Sequence, residues 1–140
     1  MIASHEAAIS QARDIADQVL APAAAENDKA ARFSTEAIDA LGGASLLGLM
    51  LPTEIGGSGL GPRTFAHVTG TLAEADASVA MVYVMHALGT ATIAAARPGA
   101  AVAPTLQEIA AGRHLSTLAF SEAGSRSHTP RKKRLARMQQ

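Results

Sequence analysis

Ile9, Ala12, Ala16, Val19 and Leu20 recur at helical spacing with Arg13, Asp14, Asp17 and Gln18 between them, which predicts an amphipathic helix near the start of the chain. Pro22 lacks an amide hydrogen and disturbs or ends that helix, although the run Ala23–Glu26 can carry helix past a kink. Ser34 or Thr35 is placed to cap a second helix, with Glu36 in its first turn and Ile38 and Leu41 inward. Gly42-Gly43 loosens its end, and Leu46, Leu47, Leu49, Met50 and Leu51 form an apolar stretch leading to Pro52. Pro62 suits the first turn of a third helix through Phe65, Val68 and Leu72, ending near Ala75. Asp76 or Ser78 can cap the next. A short helix beyond Pro98-Gly99 has Val102, Leu106 and Ile109 inward and Gln107 and Glu108 outward, and Gly112 closes it.

Two stretches break the helical rhythm. Between Pro52 and Gly61, glycine stands at positions 56, 57, 59 and 61, so the backbone is free to turn tightly and to approach another group closely. No Gly-Lys-Ser/Thr follows, so this is not a nucleotide P-loop, and a tight turn between helices is the plain reading. The second stretch has Leu115, Thr117, Leu118 and Phe120 as a short strand, entered from Gly112 and left at Ser121. Ser121 to Ser127 is small and polar, offering hydroxyls and open amides that suit a phosphate, a carbonyl or a heterocycle edge. A bland strand and turn would read the same. One strand without a partner is not stable alone, so this pattern points to a chain that is completed by further sequence or by another chain.

The longest apolar run is Ala77 to Ala96, which has no Asp, Glu, Lys or Arg. Its length permits a membrane span, but it is alanine-rich and carries Ser78, Tyr83, His86, Gly89, Thr90 and Thr92. The central helix of a soluble bundle accounts for it more simply. His86 is its one residue titrating near neutrality, read either as a hydrogen-bonded core histidine or as a group facing a ligand pocket. No second histidine or carboxylate stands three or four residues away, so a metal role is not expected. Met81 and Met85 serve as core filler or as an adaptable pocket wall.

Composition sharpens this picture. Hydrophobic residues make up 48% and aromatics 3% of 140 residues, an alanine-dominated balance that favours closely packed helices over a sheet sandwich in one domain. With no cysteine there is no disulfide, thiolate nucleophile or Cys-based zinc site. The N-terminal pattern is charged and helical, unlike a signal sequence, and a cytoplasmic location is expected. Net charge is zero but uneven. Residues 1–128 carry −5 and the last twelve +5, from Arg131, Lys132, Lys133, Arg134 and Arg137. A mildly acidic body argues against a nucleic-acid-binding face.

The second stretch, Leu118-Ala-Phe-Ser-Glu-Ala-Gly-Ser-Arg-Ser-His128, resembles the acyl-CoA dehydrogenase family where the strand of its middle domain meets the flavin. The family pattern there is apolar-x-apolar-Thr-Glu-Pro-x-x-Gly-Ser-Asp. Leu51-Pro-Thr-Glu-Ile-Gly-Gly-Ser-Gly-Leu60 looks like the family's Pro-Glu-x-x-Gly-Gly-x-Gly loop, and Ala73-Glu-Ala-Asp-Ala-Ser-Val-Ala80 is a looser match. Order and spacing agree from about Ile9 to His128. The resemblance implies an all-α fold, an orthogonal bundle of five or six helices, over residues 1–113. The start of a middle β domain then occupies 114–128, with a basic tail at 129–140. It implies FAD as cofactor, with Leu118, Phe120 and Ser121 at the flavin and Ser127 at the CoA moiety of an acyl-CoA substrate. It also implies a homo-oligomer when complete. Family members are longer, and the glutamate that removes the substrate's α-proton belongs to a C-terminal domain in most of them. No catalytic residue is therefore assigned here, and Glu122 matches a motif glutamate that is not the base. Ala123, Arg126 and His128 depart from the family's proline, glycine and aspartate. Flavin monooxygenases share the fold, and a non-catalytic helical interaction module is the alternative from another class. Residues 129–140 read as the product of a truncated or frameshifted gene, or as a basic appendage.

Overall fold

A computed structural model of the chain describes residues 1–96 and 102–118. Among these residues the fold is all-α, as expected. The elements are α1 (His5–Ile15), α2 (Ala21–Lys29), α3 (Thr35–Gly43), α4 (Pro62–Ala75), α5 (Ala77–Ala95) and α6 (Val102–Ala110), with one turn of 3₁₀ helix at Thr53–Ile55.

Pro22 does not end the first helix. α1 and α2 are joined through a π-helical turn at Ala16–Leu20, and Pro22 sits in the first turn of α2. A proline ring collides with the carbonyl four residues earlier in a regular helix. Widening the turn just before it, with the Ala21 amide bonded back to the Ala16 carbonyl, lets the helix continue. The π turn also has a packing role: Ala16 and Leu20 are buried there, and the turn packs on α4 and α3.

Three helices end in the same way. After α6, the Gly112 amide bonds to the Ile109 carbonyl and the Arg113 amide to that of Glu108, with Gly112 left-handed at φ +76°. This is the Schellman closure. α2 and α3 close with the same pair of bonds, but their left-handed residues are Ala31 (φ +49°) and Ser45 (φ +59°). Gly42-Gly43, the sequence's stop signal for α3, lies inside the helix and not at its left-handed position.

The core has two parts. The larger gathers Ala8, Ala12 and Ile15 of α1, Leu41 of α3, Leu46, Leu47 and Leu49, Val68 and Leu72 of α4, and Val79, Ala80 and Tyr83 of α5. Ile2 joins it, and its amide donates to the Ser58 hydroxyl at 3.0 Å, tying the chain start to the glycine loop. The smaller part holds Leu51 against Leu106, Ile109 and Ala110 of α6. α1 packs on α4, α4 on α5, and α5 on α6.

The glycine loop is a backbone corner. Its amides at Gly57, Ser58, Gly59 and Leu60 donate to the carbonyls of Pro52, Gly48, Leu51 and Leu49. With those donors used, it offers no amide cradle for an anion, and the tight-turn reading holds.

The strand expected from Leu115 does not form within the described residues. Residues 113–118 run without regular secondary structure. A strand needs a neighbouring row of amides and carbonyls, and the Ser116 amide is instead taken by a side chain of α5. The rest of the expected strand, with Phe120 and Ser121, lies outside the described residues.

Ala31→Gly should stabilise the chain by about 0.5–1 kcal/mol, because it relieves a left-handed alanine at the end of α2. A thermal melt should rise by roughly 2–5 °C. An unchanged or lower midpoint would mean that α2 ends differently in solution.

Candidate functional site

α5 is the element around which a site can be built. Asp76 caps it, its Oδ1 accepting from the amides of Ser78 (2.9 Å) and Val79 (3.0 Å). One side is buried, with Val79, Tyr83, His86 and Thr90 in sequence along it. Tyr83 donates from its hydroxyl to the Leu46 carbonyl at 3.0 Å, and burial pushes its phenol well above the usual range. Its ring tilts against Phe65 with centroids 5.3 Å apart. His86 is fully buried. Its Nε2 lies 3.0 Å from the Leu47 carbonyl and its Nδ1 3.0 Å from the Ser116 amide nitrogen. An amide only donates and a carbonyl only accepts, so the ring is neutral with its proton on Nε2. Burial pushes its pKa below the ordinary histidine value. The bond to Leu47 opposes this, and the charge of His114 adds to it. Of the two readings of His86, the hydrogen-bonded core histidine is the one the geometry bears out.

The opposite side of α5 is apolar and uncovered among the described residues. Met81 is 61% exposed and Leu88 44%, with Val82, Val84 and Met85 half-buried between them. The run expected as the central helix of the bundle thus has one buried side and one open side. A run apolar on every side gives no periodicity from which an outer face could be told. α5 is the one helix among the described residues long and apolar enough to cross a membrane. Its buried side nevertheless packs on α4 and α6, with Tyr83 and His86 bonded to backbone, as in the core helix of a bundle.

Residues 115–117 cross α5 at Gly89, where an added Cβ would lie 2.9 Å from the Thr117 nitrogen. Beside this crossing lies a groove of about 290 Å³ between Phe33, Met81, Met85 and Leu115. A larger apolar hollow of about 420 Å³ lies between the C-terminal half of α5 and Leu46–Pro52, walled by Ala91, Ala94 and Ala95 on the helix. A third hollow of about 280 Å³, at the α2–α3 corner, has Asn27, Arg32 and Asp76 among its walls. The first two suit hydrocarbon. Between them the three hollows carry a single basic side chain, Arg32.

Of the residues the sequence points to for flavin, Leu118 is described, half-buried at the end of the crossing segment. Phe120 and Ser121 at the flavin, and Ser127 at CoA, lie outside the described residues. The described part therefore meets one edge of the expected site. With one basic side chain among the hollows it does not fit a dinucleotide's pyrophosphate. No group of three or more His, Asp or Glu residues able to hold a metal occurs among the described residues. Sequence reasoning missed the joint itself, in which His86 grips a segment thirty residues downstream.

The family model for "Acyl-CoA dehydrogenase, N-terminal domain" matches residues 3–113, most of the chain and all six helices. The chain belongs to the acyl-CoA dehydrogenase family through that helical domain. Among curated proteins it is similar to "Probable acyl-CoA dehydrogenase FadE25" of Mycobacterium tuberculosis, 35% identical over 86 residues. The aligned part is 61% of this chain and 22% of that protein. The corresponding protein of Mycobacterium leprae is 35% identical over 78 residues, 56% of this chain and 20% of its own length. The chain thus spans about a fifth of the relatives it matches.

Two substitutions separate the faces of α5. Tyr83→Phe should cost about 0.5–1.5 kcal/mol by removing one of the two donors to the buried Leu46 carbonyl, which keeps the Leu49 amide. Met81→Glu, on the open face, should change stability by less than about 0.5 kcal/mol. Urea unfolding of both variants checks this. A larger loss from Met81→Glu than from Tyr83→Phe would mean that the open face is covered in solution.

Proposed function

We propose that this chain is the helical N-terminal portion of an FAD-dependent acyl-CoA dehydrogenase and is inactive alone. On this reading the open side of α5 is a wall that the rest of such an enzyme covers. The observation that carries the proposal is the pairing of the family match over residues 3–113 with an uncovered apolar helix face beside the segment that leads to Leu118. An exposed apolar patch of this kind marks a surface built to be covered.

In the complete enzyme, bound FAD would supply a hydride acceptor, with Leu118 of the described residues at its edge. The described residues supply no base, and their contribution is to exclude water and to shape an apolar surface beside the acyl-CoA. Phe120 and Ser121 are the proposed flavin contacts together with Leu118, and Ser127 is proposed for CoA. The complete protein is proposed to be a homo-oligomer in the cytoplasm. The absence of basic residues from the two apolar hollows agrees with a flavin held mainly by other parts of the enzyme.

Complementation tests the proposal. The purified chain should carry no flavin and should not reduce dye with an acyl-CoA. Mixed with the remaining part of the FadE25 relative, it should restore acyl-CoA-dependent dye reduction, and Met81→Glu should weaken that assembly about tenfold or more while leaving the chain folded. Flavin retained and reduced by the chain alone would overturn the claim of inactivity. Failure of every such pairing, with an α5 face that binds unrelated helical proteins equally well, would favour the interaction-module reading.

A further inference from the structure

The joint between α5 and residues 114–118 is held by an unusual means. The segment has no strand partner among the described residues. Its contact with the helix is the crossing at Gly89 and the bond from the Ser116 amide to His86 Nδ1. The other side of the same imidazole holds the Leu47 carbonyl. One ring therefore ties the Leu46–Leu51 stretch and the downstream segment to a single turn of α5. The Ser116 hydroxyl is buried with no hydrogen-bond partner, so it adds nothing polar to the joint.

That arrangement works in one protonation state. A proton added at Nδ1 would meet the Ser116 amide hydrogen head-on, putting two donors face to face in a buried place. We propose that His86 is a proton-operated latch, which in its neutral form fastens residues 114–118 across α5 and on protonation releases them while the bundle stays folded. The release is local because the core of α1, α3, α4 and the buried side of α5 does not pass through Ser116.

The ionisable groups around the ring are few. On α5 itself Tyr83 is bonded to Leu46 and uncharged near neutrality. Leu46 to Leu51 contributes no ionisable side chain. From the crossing segment His114 acts on His86 as a like charge when protonated, and Arg113 is paired with Glu108 of α6 at 2.7 Å. None of these groups is a carboxylate free to welcome a charged His86.

The sign follows from the lowered pKa. The folded joint binds fewer protons than the released one, so the latch is at full strength above the ordinary histidine pKa of about 6.5 and weakens as pH falls below it through the folded value. If the proposed function holds, the freed segment is the one that leads into the flavin contacts, so acid would loosen the flavin edge first. The latch itself does not depend on that reading, and its test uses neither flavin nor substrate.

Amide exchange on the intact 140-residue chain provides the test, read as protection relative to the unstructured rate from about pH 7.5 to about pH 5. Protection at Ser116 should fall by up to about tenfold for each pH unit from about 6.5 down to the His86 midpoint and level off below it, while amides in α4 and around Tyr83 keep theirs. The His86 ring nitrogens, followed by NMR, should titrate with the same midpoint as the Ser116 amide. His86→Gln keeps a donor and an acceptor without titrating, so Ser116 protection should become flat with pH. His114→Asn should leave the acid release in place. The proposal is overturned if Ser116 protection does not change with pH in the unmodified chain, or if α4 and Tyr83 amides lose protection in step with it. It is equally overturned if the Ser116 and His86 midpoints differ, a comparison that stands even where His86→Gln fails to fold.

Discussion

The structure depends on how α5 satisfies two backbone carbonyls that it buries. Leu46 and Leu47 lie in an irregular stretch between α3 and the glycine loop, where the Leu46 carbonyl accepts a turn bond from the Leu49 amide but neither carbonyl joins a helix, and a buried carbonyl short of donors is costly. Tyr83 and His86, three residues apart and so on one face of α5, donate to them. These bonds fix the height and rotation of α5 against the Leu46–Leu51 stretch. The side of α5 that faces outward is then determined, as is the turn at which a later segment meets it.

That determination explains an uncovered apolar face in a folded domain. A helix whose outward side was meant for water would carry charges there, and α5 carries none over its whole length. Its apolarity serves the bundle on one side and, under the proposed function, a second cover on the other. On the first side the core buries Ala8, Ala12 and Ala80 with Leu41, Val68 and Leu72, and the π turn packs on α3 and α4.

Much of this was legible in the sequence, and what was missed shares a physical reason. Pro62 and Asp76 marked the starts of α4 and α5 because caps and first-turn prolines act within a few residues. The pattern of Leu106 and Ile109 against Gln107 and Glu108 gave the inward face of α6 for the same reason. The glycine loop was read as a turn, and its amides do close on their own backbone. By contrast, Ala31 and Ser45 adopt left-handed conformations at their helix ends without the glycine that usually marks such a closure. The outer face of α5 could not be told from its buried one. His86 was identifiable as a core histidine, but its partners are backbone atoms 39 and 30 residues away, and backbone leaves no trace in residue identity. The part of the expected strand that lies within the described residues failed on the same ground, since pairing depends on a neighbour that the local sequence does not contain.

The scarcity of aromatic residues has a consequence for how this molecule reports on itself. The chain has a single tyrosine and no tryptophan. Its near-ultraviolet absorption and emission therefore arise chiefly from one ring, at the point where α5 meets the Leu46 carbonyl and Phe65. The protein carries a built-in optical reporter on the seating of its central helix. Events at the chain ends are nearly dark to it, and any change in its signal is news from that one junction.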